Sequence, residues 1–444
     1  MTNPTPSTGS RRAGRSGAPD LTWRGWWQSD RLNDARLLRR VWLIGHALLL
    51  AQWVLMRFTL GDTRYYFDNI SRMGELGPRR TMVEYPTPVL WFLKLPDLVS
   101  FGQRWVYVLV FFVMMMALDA AFTRSLWLLG GRNRGKAVLF WSVFIPLIGT
   151  TAYLRFDIVT AALAGWALIE LARRRPGVAG MLVGAGAAIK LWPALLWPAL
   201  LNRPDDKGSA GRATLGIFGF GGVLALVSLA WAGWDRLLSP LTWQGERGLQ
   251  IESLWATVPM VLRVFHPERY LVAVSPFNAW EVSGPTTDLF LKGASLAFAV
   301  GLLAAVAAYL WWIRRGHGRL VEAAAMMLLV ILVMIVTNKT FSPQYIIWLG
   351  GPLAAAWAMA SENPVGSVRA ARDEHEIAVV SELTFLATLL TQLVYPLTYA
   401  SLVQHRPGLV LATVVLAARN LVLLWLFVRV TRWIWSFLRT DGRA

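Results

Sequence analysis

Cysteine is absent from the 444-residue sequence, and histidine occurs only five times. Without cysteine the protein has no disulfide, no thiolate-bound zinc, no iron–sulfur cluster and no cysteine nucleophile. The histidines are scattered, with no two at the spacing of helical metal ligands, so a zinc or haem site built on histidine is not expected. The sequence also has no GxxxxGKS phosphate loop and no GxGxxG after a strand, which removes support for an ATP-driven or dinucleotide-dependent reaction.

Charge is also scarce, because charged residues make up 16% of the chain against about 25% in a typical soluble domain. Hydrophobic residues make up 55%, and the mean hydropathy is +0.45. This composition predicts a polytopic membrane protein. The net charge is +18, but the basic residues lie mostly in short loops between apolar runs. We therefore interpret them as a positive-inside signal and expect no nucleic-acid partner.

The apolar runs divide the chain into three parts. Residues 1–40 are polar, carry eight arginines and have no apolar core, which predicts a disordered basic cytoplasmic tail lying on anionic lipid. Residues 41–430 are predicted to form a single transmembrane domain, and residues 431–444 a basic cytoplasmic tail. No internal repeat is visible, so an inverted-repeat transporter gains no support.

A spanning helix needs about 20 mostly apolar residues. The clearest candidate spans are 41–60, 105–123, 137–153, 158–172, 213–233, 293–313, 320–337, 346–360, 383–403 and 408–430. Segment 178–201 has basic residues on both sides, and one crossing would put one basic loop outside. Because Pro193 and Pro198 also disfavour one regular helix, we expect a hairpin of two short helices that turns near Lys190.

With both termini inside, the long loops 61–104 and 234–292 lie on the extracytoplasmic face. Their Trp, Pro and charged residues predict short interfacial helices rather than a folded domain. Asp119 lies in an apolar run near the cytoplasmic end, and we expect it to make a structural polar contact such as one with Arg124.

Acids, bases and amides from separate segments converge on the predicted outer face. Asp62 follows the first span, at a membrane edge beside aromatic residues, where a carboxylate can serve as a general base. Asp68 and Glu84 are rival acids in the same loop, and an ordinary solvated loop carboxylate is the alternative for Asp62. A transport path more often places its charges at mid-membrane in both halves of the chain.

Four further residues admit either a functional or a structural interpretation. Arg155 and Asp157 flank the start of a span, where Arg155 could contact a phosphate while Asp157 orients a sugar hydroxyl or a metal; a structural ion pair or helix N-cap is the alternative. Lys190 lies in an apolar stretch and either has a partner or snorkels to the interface. Lys339, at a span end near Gln344, suits an anionic headgroup or plain interfacial anchoring.

Several short motifs together resemble a known family. They are Gly61-Asp62 with Tyr65-Tyr66, Glu84-Tyr85-Pro86, Arg155-Phe156-Asp157, Ala187-Ala188-Ile189-Lys190-Leu191-Trp192-Pro193, Arg247-Gly248-Leu249-Gln250-Ile251-Glu252-Ser253 and Phe341-Ser342-Pro343-Gln344-Tyr345. Over roughly residues 40–430 the chain resembles the polyprenol-phosphate-sugar-dependent glycosyltransferases of the GT-C superfamily, and in particular glycosyltransferase family 87 of the actinobacterial alpha-mannosyltransferase type.

This resemblance implies an all-α GT-C bundle of about 10–12 transmembrane helices with two long extracytoplasmic loops. It implies transfer of a sugar, mannose in the first instance, from a polyprenyl-phosphate donor to a hydroxyl of a lipid-linked or cell-envelope glycan. Asp62 matches the family's catalytic aspartate and would act as general base with inversion. The expected substrate-binding residues are Tyr66, Glu84, Tyr85, Arg155, Asp157, Lys190, Arg247, Gln250, Lys339, Ser342 and Gln344.

Alternatives remain open at this stage. No cofactor is expected; a divalent metal could bind through Asp62 or Asp157 but is not favoured. Some mannosyltransferases of the family carry histidines in the late outer motif, and this chain has Ser342-Pro343-Gln344-Tyr345 there, so arabinofuranosyl transfer is a second option. A transporter or flippase of a lipid-linked sugar, and a structural membrane subunit, are the competing classes of protein.

Overall fold

The computed structural model describes residues 30–203, 206–316, 318–362, 367–404 and 406–439. Two parts of the predicted tails lie outside these ranges: residues 1–29 of the N-terminal tail and residues 440–444 of the C-terminal tail. The helices are α1 (Ala35–Leu55), α2 (Asp62–Ser71), α3 (Met73–Leu76), α4 (Pro88–Leu98), α5 (Arg104–Leu129), α6 (Arg134–Ile148), α7 (Asp157–Ala172), α8 (Pro176–Ile189), α9 (Ser209–Ala232), α10 (Trp234–Glu246), α11 (Thr257–Phe265), α12 (Thr287–Arg314), α13 (Leu320–Thr337), α14 (Ile347–Met359), α15 (Val368–Gln392), α16 (Tyr399–Gln404) and α17 (Leu409–Arg439).

The fold is that of an all-α polytopic membrane protein, as the composition predicted. In the described ranges, seven helical segments are long and apolar enough to cross a membrane: α5, residues 134–152, α9, α12, α13, residues 368–404 and α17. Helices α7, α8 and α14 are shorter than 18 residues. The expected number of about 10–12 crossings is therefore reached only if shorter helices cross as well.

Helices α13 and α14 form the centre of the bundle. Every residue of α14 is buried, and so is every residue of α13 except Met334. Helices α9 and α12 are also apolar but lie at the periphery, where they expose large side chains such as Leu215, Leu226, Leu296 and Leu303. Such an exposed apolar surface belongs against lipid.

The expected hairpin at 178–201 is present. Helix α8 ends at Ile189, Lys190 is extended (φ −152°, ψ 132°), and a 3-10 helix follows over Trp192–Leu200. Gly177, near the start of α8, lies against the first turns of α9. Trp197, near the end of the 3-10 helix, lies there too, because its Nε1 donates to Thr214 at 3.1 Å. The segment therefore leaves and returns on the same side of the bundle.

The two long loops are helical, as expected, with one addition. The first carries α2, α3 and α4, and the second carries α10 and α11. The second also contains an antiparallel β-hairpin, with β1 (Leu271–Val274) paired to β2 (Trp280–Ser283), which the sequence analysis missed. Its two strands are only four residues long, too short for their alternation to stand out.

Two further helix boundaries and one polar contact differ from expectation. Helix α17 continues to Arg439, nine residues beyond the predicted boundary at 430, and α1 begins at Ala35. Asp119 makes a structural contact, but it accepts hydrogen bonds from Trp42 Nε1 (2.9 Å) and Tyr153 OH (2.9 Å), and it pairs with His46 Nε2 (2.8 Å), instead of Arg124. These donors come from α1 and from the segment after α6, which lie beside α5 in the fold.

Candidate active site

The starts of α2 and α7 bring together two of the predicted site residues, Asp62 and Arg155, which were not predicted to pair with each other. Asp62 opens α2, and its Oδ1 lies 3.0 Å from Nη2 of Arg155. The preceding Gly61 has φ +52°, and a Cβ there would come within 3.1 Å of the Leu154 side chain. Glycine at position 61 thus allows the two segments to approach closely enough for the ion pair to form. The Asp62 side chain keeps 34% of its surface exposed.

Asp157 and Lys190 form a second, more deeply buried pair. Lys190 Nζ donates to Asp157 Oδ1 at 2.7 Å, and the two side chains are 15% and 3% exposed. Trp348 Nε1 donates to the same oxygen at 2.7 Å. Lys190 therefore has a partner, as a lysine in an apolar stretch requires, and does not snorkel to the interface.

Aromatic rings surround the Lys190 ammonium. The centroids of Tyr345 and Trp348 lie 4.9 and 5.0 Å from Nζ, and that of Phe156 lies 5.8 Å away. Tyr345 stacks on Trp348 at 4.2 Å. A cation among aromatic faces is stabilised by their quadrupoles. Three of the sequence motifs, those at 155–157, 187–193 and 341–345, thus meet at one point.

Tyr66 and Tyr85 pack beside this point. Their rings lie 5.4 and 5.1 Å from the Phe156 ring. Burial is the main cause that raises the pKa of each phenol well above its ordinary value; for Tyr66 the next cause is Tyr85, and for Tyr85 it is the charge of Asp62. Both hydroxyls therefore stay protonated at neutral pH and remain available as hydrogen-bond donors.

Glu84 lies close to the Asp62 site but has its own partner. It accepts a hydrogen bond from Tyr65 OH at 2.6 Å. Burial raises the pKa of Glu84, while the Tyr65 hydrogen bond and the charges of Arg236 and Arg247 act in the opposite direction. Glu84 is thus a half-buried carboxyl whose proton affinity is higher than that of a free side chain.

The loop that carries Glu84 and Tyr85 is held by Arg236 of α10, which the sequence analysis did not single out. The buried guanidinium donates to the carbonyls of Pro78, Thr81, Met82 and Tyr85 at 2.8–3.2 Å. A cleft of about 550 Å³ opens between this loop and α10. Arg236 therefore fixes one wall of the cleft through backbone contacts.

The remaining predicted residues lie along the 245–252 and 338–345 segments. The Gln250 amide nitrogen donates to the Lys339 carbonyl at 3.1 Å, and its side chain donates to Ser342 Oγ at 3.2 Å. Lys339 Nζ donates to the Gly245 carbonyl at 2.7 Å, and burial lowers its pKa. Gln344 is 7% exposed, and its Oε1 has no hydrogen-bond partner. Lys339 thus ties two loops together.

Four residues near Arg155 were missed by the sequence analysis as site residues. The Arg155 side chain also lies close to Tyr395, at the non-helical break after α15, and to Tyr399. Glu252 is 1% exposed and faces Arg419, which is fully buried. The sequence did carry a signal for Arg419, because it lies inside the apolar run 408–430. A charged residue in a spanning helix usually has a functional or structural role.

The fold and the site together define a class of protein. It is a helical membrane protein in which polar side chains from at least four separate segments meet at one end of the bundle, beside aromatic rings and an exposed carboxylate. Such a site can bind a polar substrate at the membrane surface and move a proton.

Comparison with known families narrows this class. Residues 84–338, more than half of the chain, match the model of glycosyltransferase family 87, so the chain belongs to that family. It is a membrane glycosyltransferase, which argues against the transporter and structural-subunit alternatives. No curated protein and no solved structure matches the chain. Asp62 and the 341–345 motif lie outside the matched residues.

Proposed function

We propose that the protein transfers a sugar, mannose in the first instance, from a polyprenyl-phosphate donor to a hydroxyl of a lipid-linked or cell-envelope glycan. Family membership supports glycosyl transfer. The assignments of a lipid-phosphate donor and of mannose are based on the sequence motifs that resemble the family. The reaction is placed on the extracytoplasmic face because the site is built from the segments that the positive-inside rule puts outside.

Asp62 is the proposed general base. Its side chain is 34% exposed, whereas Asp157 is 3% exposed and already accepts from Lys190 and Trp348. A base must reach the proton that it removes, and of these two carboxylates only Asp62 has an open side. This difference in exposure is the observation that carries the assignment.

The proposed step is a single displacement. The acceptor hydroxyl gives its proton to Asp62, its oxygen bonds to the anomeric carbon, and the bond from that carbon to the phosphate oxygen breaks. The lipid phosphate leaves with the bonding electrons, and the configuration at the anomeric carbon inverts. Because phosphate is a good leaving group, positioning and charge stabilisation can supply much of the rate.

Arg155 is the cation best placed for the phosphate. It lies 3.0 Å from Asp62, so a phosphate bound there would be next to the base. Lys190 is held by Asp157 and Lys339 by a carbonyl, and both would have to leave these partners first. Binding of a phosphate to Arg155 would also release Asp62 from its ion pair.

We propose that no soluble cofactor or metal takes part. Treatment of membranes with EDTA should leave transfer unchanged. Loss of transfer with EDTA and its recovery with Mg²⁺ would contradict this proposal and direct attention to Asp62 or Asp157 as metal ligands.

The first experiment compares sugar transfer from radiolabelled polyprenyl-phosphate-mannose in membranes that contain wild type, Asp62→Asn or Asp68→Asn. Asp68 lies in the same helix, is 40% exposed and pairs with Arg104 at 2.9 Å, which makes it a matched control. We expect Asp62→Asn to lose about 10²–10⁴-fold in rate, the usual contribution of a general base. Asp68→Asn should retain most activity.

Two other outcomes would change the proposal. Equal transfer by wild type and Asp62→Asn would remove Asp62 from the mechanism. The same membranes are also given a polyprenyl-phosphate-arabinose donor. Transfer from this donor and not from the mannose donor would confirm the reaction class and change the assigned sugar to arabinose. Product stereochemistry is measured on the same material, and retention at the anomeric carbon would contradict the single displacement.

A further inference from the structure

The cleft beside α10 takes no part in the proposed reaction step. One of its walls is the loop 78–85, which the buried Arg236 holds, and the other wall is α10 itself. Its volume is about 550 Å³. Ligand sites in proteins usually measure about 300–1,000 Å³, so the cleft has room for at least one sugar ring.

Helix α10 turns a polar face towards the cleft. The residues of this face are Asp235, Ser239, Thr242 and Glu246. They follow one another at intervals of four, three and four residues, which places them on one side of a helix. Eleven residues of α-helix measure about 16 Å, so the carboxylates at the two ends are too far apart to hold one metal ion. The cleft therefore presents an elongated polar surface.

The charged groups at the ends of this surface are available to a ligand. Asp235 and Glu246 are exposed, and neither has a hydrogen bond or an ion pair within the part of the chain that the structure describes. Arg79 of the opposite wall is exposed and equally unpaired among those residues. A Cβ on Gly233 would lie 3.8 Å from its Nε and Nη2, which places the guanidinium over the start of α10.

Two tryptophans add flat apolar surface to the cleft. Trp234 is 63% exposed at the start of α10, and Trp243 is half-buried near the end of the helix. The Trp243 ring has an edge contact with Phe277 in the loop of the β-hairpin, with the ring centroids 5.0 Å apart. An indole face oriented in this way can pack against the C–H groups of a sugar ring while the hydroxyls at the rim of the ring reach polar partners.

The chemistry of the lining selects a neutral ligand rich in hydroxyl groups. Two arginines, Arg79 and Arg236, and two carboxylates line the cleft, so their charges cancel. A phosphate would be repelled by Asp235 and Glu246, and a cation would be repelled by Arg79. A hydroxyl group donates to a carboxylate and accepts from a guanidinium, so the hydroxyls of a glycan match both.

The cleft lies one loop away from the proposed base. Val83 lines the cleft, and the next residue, Glu84, accepts a hydrogen bond from Tyr65 OH at 2.6 Å. Burial is the main cause that raises the pKa of Tyr65, Glu84 is the next, and Asp62 is near enough for its charge to add to the effect. A ligand in the cleft is therefore separated from the Asp62 site by the width of the loop 78–85.

The two ends of the cleft have different surroundings. Ala232, the last residue of α9, and Trp234 line one end, and α9 exposes apolar side chains such as Leu226 at the periphery of the bundle. At the other end of α10, the Gly245 carbonyl accepts from Lys339 Nζ at 2.7 Å. The cleft therefore runs from the membrane-facing side of the bundle towards the segments that form the site.

We propose that this cleft binds the glycan chain of the acceptor along the polar face of α10. Asp235 and Glu246 accept hydrogen bonds from sugar hydroxyls, Arg79 donates to them, and Trp243 packs against a sugar ring. The inference rests on the proposed function for the reaction, and it assigns the acceptor to a site that is separate from the Asp62–Arg155 pair.

Binding of free glycans tests the cleft without any turnover. Purified full-length protein is titrated with linear oligosaccharides of one to four mannose, arabinose, galactose or glucose units. We expect the affinity to rise with the number of units in at least one series, because the polar face is longer than one ring. Asp235→Asn and Glu246→Gln should each weaken binding of the longest glycan in that series about tenfold, because a charge-assisted hydrogen bond is lost.

Two variants outside the cleft serve as matched controls. Glu268→Gln removes an exposed carboxylate of the same long loop, and Leu241→Ala changes the apolar side of α10. Both should bind the glycans as wild type does, whereas Trp243→Ala should bind them more weakly. Equal affinity of wild type, Asp235→Asn and Glu246→Gln for every glycan would overturn the proposal, and so would the absence of glycan binding by wild type.

A lipid headgroup is the competing ligand, and glycerol phosphate is its probe. Binding of glycerol phosphate that is lost in Arg79→Gln, together with glycan affinities that are unchanged in Asp235→Asn, would overturn the proposal in favour of a lipid phosphate. We expect no such binding, because the two carboxylates repel a phosphate.

A blocked cleft connects the site with transfer and does not depend on loss of a native charge. Thr242 is an exposed residue of the cleft, and the chain has no native cysteine, so Thr242→Cys can be modified with a bulky maleimide. Modification should lower transfer to membrane acceptors about tenfold or more, because the filled cleft no longer admits a glycan, and should leave binding of polyprenyl-phosphate-mannose unchanged. Modified Asn278→Cys, in the β-hairpin loop, is the control and should transfer as before modification.

The outcomes separate the acceptor site from the proposed function. Equal transfer before and after modification of Thr242→Cys would contradict the acceptor site and leave the reaction in place. Absence of transfer from the mannose lipid in wild type, with glycan binding to the cleft intact, would count against the proposed function alone.

Discussion

At the scale of the residue, burial separates carboxylates that look alike in the sequence. Asp62 and Asp157 each stand at a helix start with a basic residue nearby, and each pairs with a cation. Asp62 keeps an exposed side, whereas Asp157 is enclosed by Lys190 and Trp348. The sequence offered both as functional acids, and the exposure favours Asp62 as the base.

Glu252 is expected to make the stability of the folded protein depend on pH. Burial raises its pKa to about 7, against the charges of Arg419 and Arg155, and Tyr399 also lies nearby. Between pH 4.5 and 7 the folded state therefore holds a proton that the unfolded state has released, and stability falls as the pH rises through this window. Unfolding temperatures in detergent should show this slope in wild type and a weaker slope in Glu252→Gln. An identical slope in both proteins would show that Glu252 does not cause it.

The Lys190–Asp157 pair is predicted to be a large contributor to stability. Lys190→Met leaves the Asp157 carboxylate buried without its cation, a change that costs about 3–5 kcal/mol in typical proteins. Thermal unfolding of purified protein measures the loss. The control is Lys94→Met, since Lys94 pairs with Asp97 at a more exposed position and should cost about 1 kcal/mol or less.

The double variant Lys190→Met/Asp157→Asn separates the two causes of that loss. It should be more stable than Lys190→Met alone, because the uncompensated charge is gone. Equal stability of the single and double variants would mean that packing, and not the charge, explains the effect.

At the scale of the element, glycine sets how closely α8 and α9 approach. A Cβ on Gly216 would lie 2.1 Å from the Gly177 carbonyl oxygen, and a Cβ on Gly180 would lie 2.0 Å from the Ala213 carbonyl oxygen. Gly184 lies in the same contact, since a Cβ there would come within 3.1 Å of the Ile217 carbonyl oxygen. The approach holds the hairpin that turns at Lys190 in place.

This contact predicts opposite effects for two identical substitutions in α9. Gly216→Ala should destabilise the protein, because backbone atoms must move apart. Gly222→Ala meets nothing within 4 Å and should be neutral or stabilising by up to about 1 kcal/mol through helix propensity. Unfolding temperatures of the two variants test the contact, and equal shifts would contradict it.

At the scale of the whole molecule, the site requires that several loops share one side of the membrane. We predict that Asn278, in the β-hairpin loop, is extracytoplasmic and that Ala371, near the start of α15, is cytoplasmic. The chain has no native cysteine, so a single introduced cysteine is the only thiol that can react with a labelling reagent. Asn278→Cys should react with an impermeant maleimide in intact cells, and Ala371→Cys only after permeabilisation. The reverse pattern would invert the topology and place the site inside.

Much of the helical framework could be predicted from the sequence. The span predicted at 105–123 lies inside α5, that at 213–233 overlaps α9, and that at 320–337 coincides with α13. Each is a long apolar run, and the cost of exposing backbone polar groups to lipid leaves a helix as the available structure. The break at Tyr395 within the predicted span 383–403 was missed, because the surrounding residues remain apolar.

The sequence alone determined most of the helical segments, that the hairpin turns at Lys190, and which segments carry polar residues. These properties depend on local composition, on proline and on the spacing of charges. Only the tertiary structure decided the partners: Asp62 with Arg155, Lys190 with Asp157, and Glu252 with Arg419. Members of these pairs are separated by 33 to 167 residues along the chain, and helix packing brings them together. The same packing sets which carboxylate stays exposed, and exposure determines whether it can reach a substrate.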